Sequence, residues 1–75
     1  MTRGFGFIQE ATATGAVRAA NYVEAFEEDL AEVVTLTWVN DKFFIFFSAK
    51  SADAARGIVS EYFKQRKARF ESQEF

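Results

Sequence analysis

The chain has 75 residues, a formal net charge of −2, and no cysteine, histidine or proline. This length accommodates one hydrophobic core, so we expect residues 1–75 to form a single domain. Disulfide bonds are excluded, and a structural zinc site is excluded in practice because its thiolate and imidazole ligands are missing. The acidic balance argues against a general nucleic-acid-binding protein, whose surface is normally basic, and against anionic membranes.

Aromatic residues make up 17% of the chain, with ten phenylalanines among them. A domain this small that lacks disulfides and metals needs a dense apolar core or burial against another chain. The longest apolar run, residues 43–47, is far too short to span a bilayer, and no signal-peptide pattern is visible. A chain without cysteine is compatible with a reducing compartment, so we expect a cytoplasmic protein.

Residues 3–10 alternate as a strand does, with Phe5 and Phe7 on one face. Gly4 and Gly6 on the other face indicate that another element packs close to the backbone there. The small alanine side chains at the start of the following helix would let that helix approach the two glycines closely. That helix is predicted over residues 15–30, with Thr12 or Thr14 as its N-cap. Its apolar stripe consists of Ala16, Ala19, Val23, Phe26 and Leu30.

Residues 32–39 and 42–49 are rich in β-branched and aromatic side chains and are predicted as two strands. Asn40 and Asp41 between them both tolerate positive φ, which favours a tight hairpin turn. In the first of these strands, strict alternation separates two faces: Val34, Leu36 and Trp38 on one, and Val33, Thr35, Thr37 and Val39 on the other.

Ser51 is the predicted N-cap of a second helix, and Asp53 suits its first turn. Residues 68–75 are ambiguous: the helix continues to about residue 70, or the tail forms a fourth strand. The predicted apolar stripe of this helix consists of Ala55, Ile58, Val59, Tyr62 and Phe63.

The resulting order, β-α-β-β-α with a possible final strand, matches the ferredoxin-like split β-α-β plan. The predicted fold class is therefore α+β, with two layers: an antiparallel sheet and two helices on one of its faces. The third strand lies centrally in that plan, beside the first. Without a fourth strand, the first strand is an open edge, which invites pairing with another chain.

The central strand departs from the alternation expected when one sheet face meets water, because both of its faces are apolar. Phe43, Ile45 and Phe47 fill one face, and Phe44 and Phe46 fill the other. Either the helices cover Phe44 and Phe46, or this face is a surface for association. The candidate protein-binding residues are Phe5, Phe7, Thr35, Thr37, Phe44 and Phe46.

Two charged segments form a second candidate surface. One is acidic: Glu24, Glu27, Glu28, Asp29 and Glu32; the other is basic: Lys64, Arg66, Lys67 and Arg69. They are either solvated helix ends or complementary surfaces that set orientation between chains.

The segment from Arg3 to Gln9 resembles the ribonucleoprotein box of RNA-recognition motifs and cold-shock domains, whose aromatic residues stack on bases. The resemblance implies single-stranded nucleic-acid binding. The sequence departs from the box at Glu10, where an aromatic residue is expected. The third strand keeps the basic residue and the alternating aromatics, in Lys42, Phe44 and Phe46, but lacks the glycines.

The stretches Gly6–Glu10 and Gly15–Asn21 are similar to the first strand and helix of bacterial microcompartment shell proteins, which tile as hexamers. This resemblance implies a shared fold plan that favours assembly. Asn40 and Asp41 stand where that family has a glycine-rich pore hairpin, and the chain is shorter.

The residues that catalysis usually requires are missing from this sequence. Histidine and cysteine are absent, the serines have no evident base, and no phosphate-binding loop or dinucleotide fingerprint appears. We therefore expect a non-catalytic interaction or assembly module without cofactors. It is either a homo-oligomer or a small inhibitor or adaptor of a larger protein, with single-stranded nucleic-acid binding as the alternative.

Overall fold

A computed structural model describes the backbone of residues 3–73 and the side chains of residues 3–65. The elements in order are β1 (Gly4–Glu10), α1 (Ala13–Glu24), a 3-10 turn (Glu27–Asp29), β2 (Glu32–Val39), β3 (Lys42–Ala49) and α2 (Ala52–Gln73). The strands form an antiparallel sheet in the order β1-β3-β2. This arrangement confirms the predicted α+β fold and is consistent with the ferredoxin-like plan.

The β2–β3 hairpin has the predicted strand bounds and the predicted turn. Asn40 and Asp41 have φ values of 52° and 63°, the left-handed conformation that a tight hairpin turn needs. A bulge between Val33 and Thr35 interrupts the alternation of β2 and places Val33 opposite Phe47. The predicted grouping of Val33 with Thr35 and Thr37 is therefore wrong, because one extra residue in a strand moves its neighbours to the other face.

Helix α1 starts and ends earlier than predicted. The Thr12 hydroxyl accepts a 3.0 Å hydrogen bond from the Gly15 amide, which confirms Thr12 as the N-cap. The helix ends at Glu24, and Leu30 has a left-handed φ of 54° and is exposed, so Leu30 does not belong to the apolar stripe. Acidic residues at the negative pole of a helix disfavour its continuation.

The core lies between the helices and one face of the sheet, with Ile8, Ile45 and Phe47 fully buried in the sheet. Ser51 caps α2, since its hydroxyl accepts from the Ala54 amide at 3.1 Å. Helix α2 contributes Ala55, Ile58 and Tyr62 to the core, from the predicted stripe. No helix in the described range is both long enough and apolar enough to cross a bilayer.

Two details of α2 differ from the sequence predictions. Phe63 was predicted to be core but is 53% exposed, because it lies on the flank of the helix that faces past the edge of the sheet. The helix continues to Gln73, so the alternative of a fourth strand at 68–75 does not hold for residues 68–73. Residues 74 and 75 lie outside the described residues.

Gly4 and Gly6 are sites of close approach, as predicted, but α1 is not what approaches them. A Cβ atom on Gly4 would lie 2.1 Å from the carbonyl oxygen of Ser51, at the start of α2. At Gly6, it would lie 2.8 Å from the ring of Phe47. Helix α2 thus begins directly over β1, and this contact fixes where α2 sits on the sheet.

Substitution of two glycines by alanine is expected to have opposite effects. Gly4→Ala should lower the free energy of unfolding by about 3 kcal/mol, because the backbone of α2 has to move. Gly57→Ala should raise it by about 1 kcal/mol, because Gly57 is helical and nothing lies within 4 Å of a built Cβ. Urea denaturation followed by circular dichroism measures both, and a Gly4→Ala variant as stable as wild type would contradict the placement of α2.

Candidate protein-interaction face

The sheet face opposite the helices collects the six residues that the sequence singled out. Phe46 of β3 pairs with Phe7 on one side and Thr35 on the other. Phe44 pairs with Gln9 and Thr37 in the same way. Strand alternation places Phe5 beside Phe7. We call this surface the aromatic face: Phe5, Phe7, Thr35, Thr37, Phe44 and Phe46.

Three rings of the aromatic face, those of Phe7, Phe44 and Phe46, form one cluster on the side of the sheet that the helices do not cover. The Phe7 ring centroid lies 6.2 Å from that of Phe44 and 5.9 Å from that of Phe46, within the range of favourable aromatic pairs. Phe5, Phe7 and Phe46 are 72%, 53% and 39% exposed. The alternative in which the helices cover these phenylalanines is therefore wrong.

The exposed area of the aromatic face is large for so small a chain. With roughly 200 Å² for each phenylalanine side chain, the exposed fractions of Phe5, Phe7 and Phe46 amount to about 330 Å². Val39, which alternation places on the same side, is also exposed. The largest apolar patch on a typical monomer is roughly 300–600 Å² and is often functional.

Arg3 closes one end of the aromatic face. Its guanidinium donates hydrogen bonds to the Leu30 carbonyl oxygen at 2.7 Å and to the Ser48 hydroxyl at 2.9 Å. The Glu32 carboxylate lies 3.9 Å away. Sequence reasoning missed this role because both hydrogen-bond partners are distant along the chain. Arg3 thus ties the start of β1 to the rest of the sheet.

A groove runs along the other side of Phe5 and Phe7, between the outer edge of β1 and helix α2. Its volume is about 830 Å³. We call it the β1–α2 groove; it is lined by Phe5, Gly6, Phe7, Gln9, Ala55, Arg56, Gly57, Val59, Ser60 and Phe63. Sequence reasoning missed the groove because it assigned Phe63 to the core.

The two charged segments do not meet within the described part of the molecule. Glu27, Glu28 and Asp29 form the 3-10 turn, where Asp29 makes a 3.2 Å ion pair with Lys50. Lys64 is exposed on α2. The side chains of Arg66, Lys67 and Arg69 lie outside the described residues, so complementary docking by these segments stays a prediction.

A buried polar cluster lies between the sheet and the helices. Glu10 is 5% exposed and accepts a hydrogen bond from the Tyr62 hydroxyl. The rings of Tyr62 and Tyr22 are 5.2 Å apart, and the buried Tyr22 hydroxyl has no hydrogen-bond partner among the described atoms. Burial, and then the negative charge of Glu61, raise the pKa of Tyr22.

The raised pKa of Tyr22 predicts a loss of stability in alkali. The folded state favours the protonated Tyr22 hydroxyl. The part of the free energy of unfolding that this preference supplies is fully present below the unfolded pKa of roughly 10, and it is lost as the pH rises through the folded pKa. Tyr22→Phe should remove this part of the alkaline loss. At pH 7 it should leave the free energy of unfolding unchanged or raise it by about 1 kcal/mol, because an unpaired buried hydroxyl is removed.

Urea denaturation of both proteins between pH 7 and pH 11 measures the difference. Equal alkaline losses in wild type and Tyr22→Phe would show that Tyr22 does not contribute.

The chain matches no protein-family model, no curated protein and no solved structure.

Proposed function

We propose that this chain is a non-catalytic protein-association module that works through the aromatic face, inside the cell. The observation that carries the proposal is the contiguous cluster of Phe7, Phe44 and Phe46 on a sheet surface that the helices do not cover. Burial of this surface against a protein releases it from water, at roughly 25 cal/mol per Å² of apolar area.

A second copy of the chain is the partner we favour. Two sheets pack face to face at about 10 Å, with the side chains of both inner faces interdigitating. The aromatic face suits such a contact because its rings are flanked by the small side chains of Thr35 and Thr37. Closed homo-oligomers are also the common form of association among soluble proteins. In the alternative form of this proposal, the chain is an inhibitor or adaptor that presents the same face to a larger protein.

Phe46→Glu tests the proposal, because Phe46 lies centrally on the aromatic face and is exposed. We expect wild type to form a dimer or higher oligomer at micromolar concentration, and Phe46→Glu to raise the dissociation constant at least tenfold. Light scattering over a range of concentrations measures this, and circular dichroism verifies that the fold is intact.

Val17→Glu is the matched control, since Val17 is an exposed apolar residue on α1. It should associate as wild type does. A wild-type chain that stays monomeric at several hundred micromolar would contradict self-association. Equal dissociation constants for wild type and Phe46→Glu would contradict the role of the aromatic face.

Single-stranded nucleic-acid binding is the second candidate function. The observation in its favour is the position of exposed rings on two neighbouring strands, with Lys42 on the same side of β3 by alternation. Stacking of a base on such a ring is worth roughly 1–3 kcal/mol. The net charge of −2 opposes this function.

Fluorescence anisotropy with labelled oligo(dT) and oligo(U) of twelve nucleotides, at low salt, separates the two candidates. Nucleic-acid binding predicts an affinity that falls steeply with added salt and at least tenfold with Phe44→Ala. Absence of binding at low salt would eliminate this function and leave protein association.

A further inference from the structure

The β1–α2 groove lies where the fold plan has room for one more strand. In a complete split β-α-β fold, a fourth strand follows the second helix and pairs with the outer edge of the first strand. Here α2 remains helical to Gln73, and the described residues place no strand on the outer side of β1. From Gly4 to Gln9, the outer edge of β1 has no strand partner among the described residues, so this edge is open to backbone pairing.

A second copy of the chain cannot fill this position by pairing its own β1. Helix α2 begins directly over β1, as the close contact between Ser51 and Gly4 shows. Neighbouring strands lie about 4.8 Å apart, whereas packed helices need roughly 8–10 Å between their axes. Symmetric pairing of two β1 edges would bring the two α2 helices closer than that. The groove therefore accepts a single extended strand without a helix above it.

The lining of the groove defines the chemistry of this strand. Phe5, Val59 and Phe63 form apolar walls, and Arg56 already pairs with Asp53 at 2.5 Å. The groove is open beside Gly57, where a Cβ would have no neighbour within 4 Å. Inward side chains of an occupant are thus apolar and uncharged.

We propose that the β1–α2 groove binds an extended segment of another protein, which adds a fourth strand to the sheet. The segment pairs with β1 over about seven residues, the length of Gly4–Glu10, and runs antiparallel to it as the fold plan requires. Its side chains alternate between the groove and the aromatic face. Phe5 and Phe7 belong to both surfaces, whereas Phe63 lines the groove alone and Phe46 belongs to the aromatic face alone, so variants at Phe63 and Phe46 separate the two proposals.

The exposed rings set the scale of the interaction. Phe5, Phe7 and Phe63, which are 72%, 53% and 53% exposed, offer about 360 Å² of apolar area at roughly 200 Å² for each side chain. A stable interface buries roughly 800 Å² on each partner. An isolated peptide should therefore bind weakly, with a dissociation constant of roughly 10 μM or above, and the complete partner protein more tightly.

A displayed library of random twelve-residue peptides is the probe, with the full chain as target and Phe63→Lys as counter-target. The enriched peptides should contain five or more consecutive β-forming residues. Their affinity should fall at least tenfold with Phe63→Lys and with Gly57→Leu, which places a side chain at the open wall of the groove. Bound peptide should also slow amide hydrogen exchange at alternate residues of β1.

Two variants outside the groove serve as controls. Val17→Lys on α1 should bind the peptides as wild type does, and Phe46→Glu should lower their affinity less than Phe63→Lys does, because Phe46 does not line the groove. Failure to enrich peptides over the Phe63→Lys counter-target would overturn the proposal. So would peptides that are lost with Phe46→Glu but kept with Phe63→Lys; that outcome would leave association through the aromatic face standing.

Discussion

Strand β3 carries aromatic side chains on both of its faces, and a domain of two layers can cover only one of them. The helices bury Ile45 and Phe47 completely, together with Ile8 of β1. Phe44 and Phe46 point the other way and meet Phe7, which leaves three contacting rings at the surface. Such a surface favours association, because burial of the exposed rings against a partner removes apolar area from water and lowers the free energy.

The position of α2 has the second structural consequence. Because its first turn touches the backbone of β1 at Gly4, the helix lies over the edge strand and its flank overhangs the open side. Phe63 and Val59 on that flank complete an apolar groove with Phe5 and Phe7. The aromatic face and the β1–α2 groove therefore meet along β1, and one partner could contact both surfaces. Arg3 fixes the start of this strand through Leu30 and Ser48.

The sequence was most informative where local signals and periodicity agree. The β2–β3 hairpin follows from β-branched runs around Asn40 and Asp41, and Thr12 and Ser51 mark the two helix starts. The composition of the aromatic face also followed from alternation in β1 and β3. The exposure of the aromatic face could not be predicted, because a short apolar strand has the same sequence pattern whether one or both of its faces are buried.

Features that depend on packing between distant segments could not be predicted from the sequence. Phe63 fits the apolar stripe of α2 by spacing, but the sheet ends at β1 and leaves this ring without cover. The bulge near Val34 has no local signature, and it reversed the expected face of Val33. Arg3 and the groove follow from contacts between segments far apart in the chain, which no periodicity encodes.

The most direct test of the central claim is to locate the contact between copies of the chain. Wild-type protein labelled with carbon-13, mixed with unlabelled protein, gives isotope-filtered nuclear Overhauser effects between different copies. The account predicts such effects at the ring protons of Phe7, Phe44 and Phe46. Effects confined to the outer strand β2, at Leu36 and Trp38, or no intermolecular effects at millimolar concentration, would contradict it.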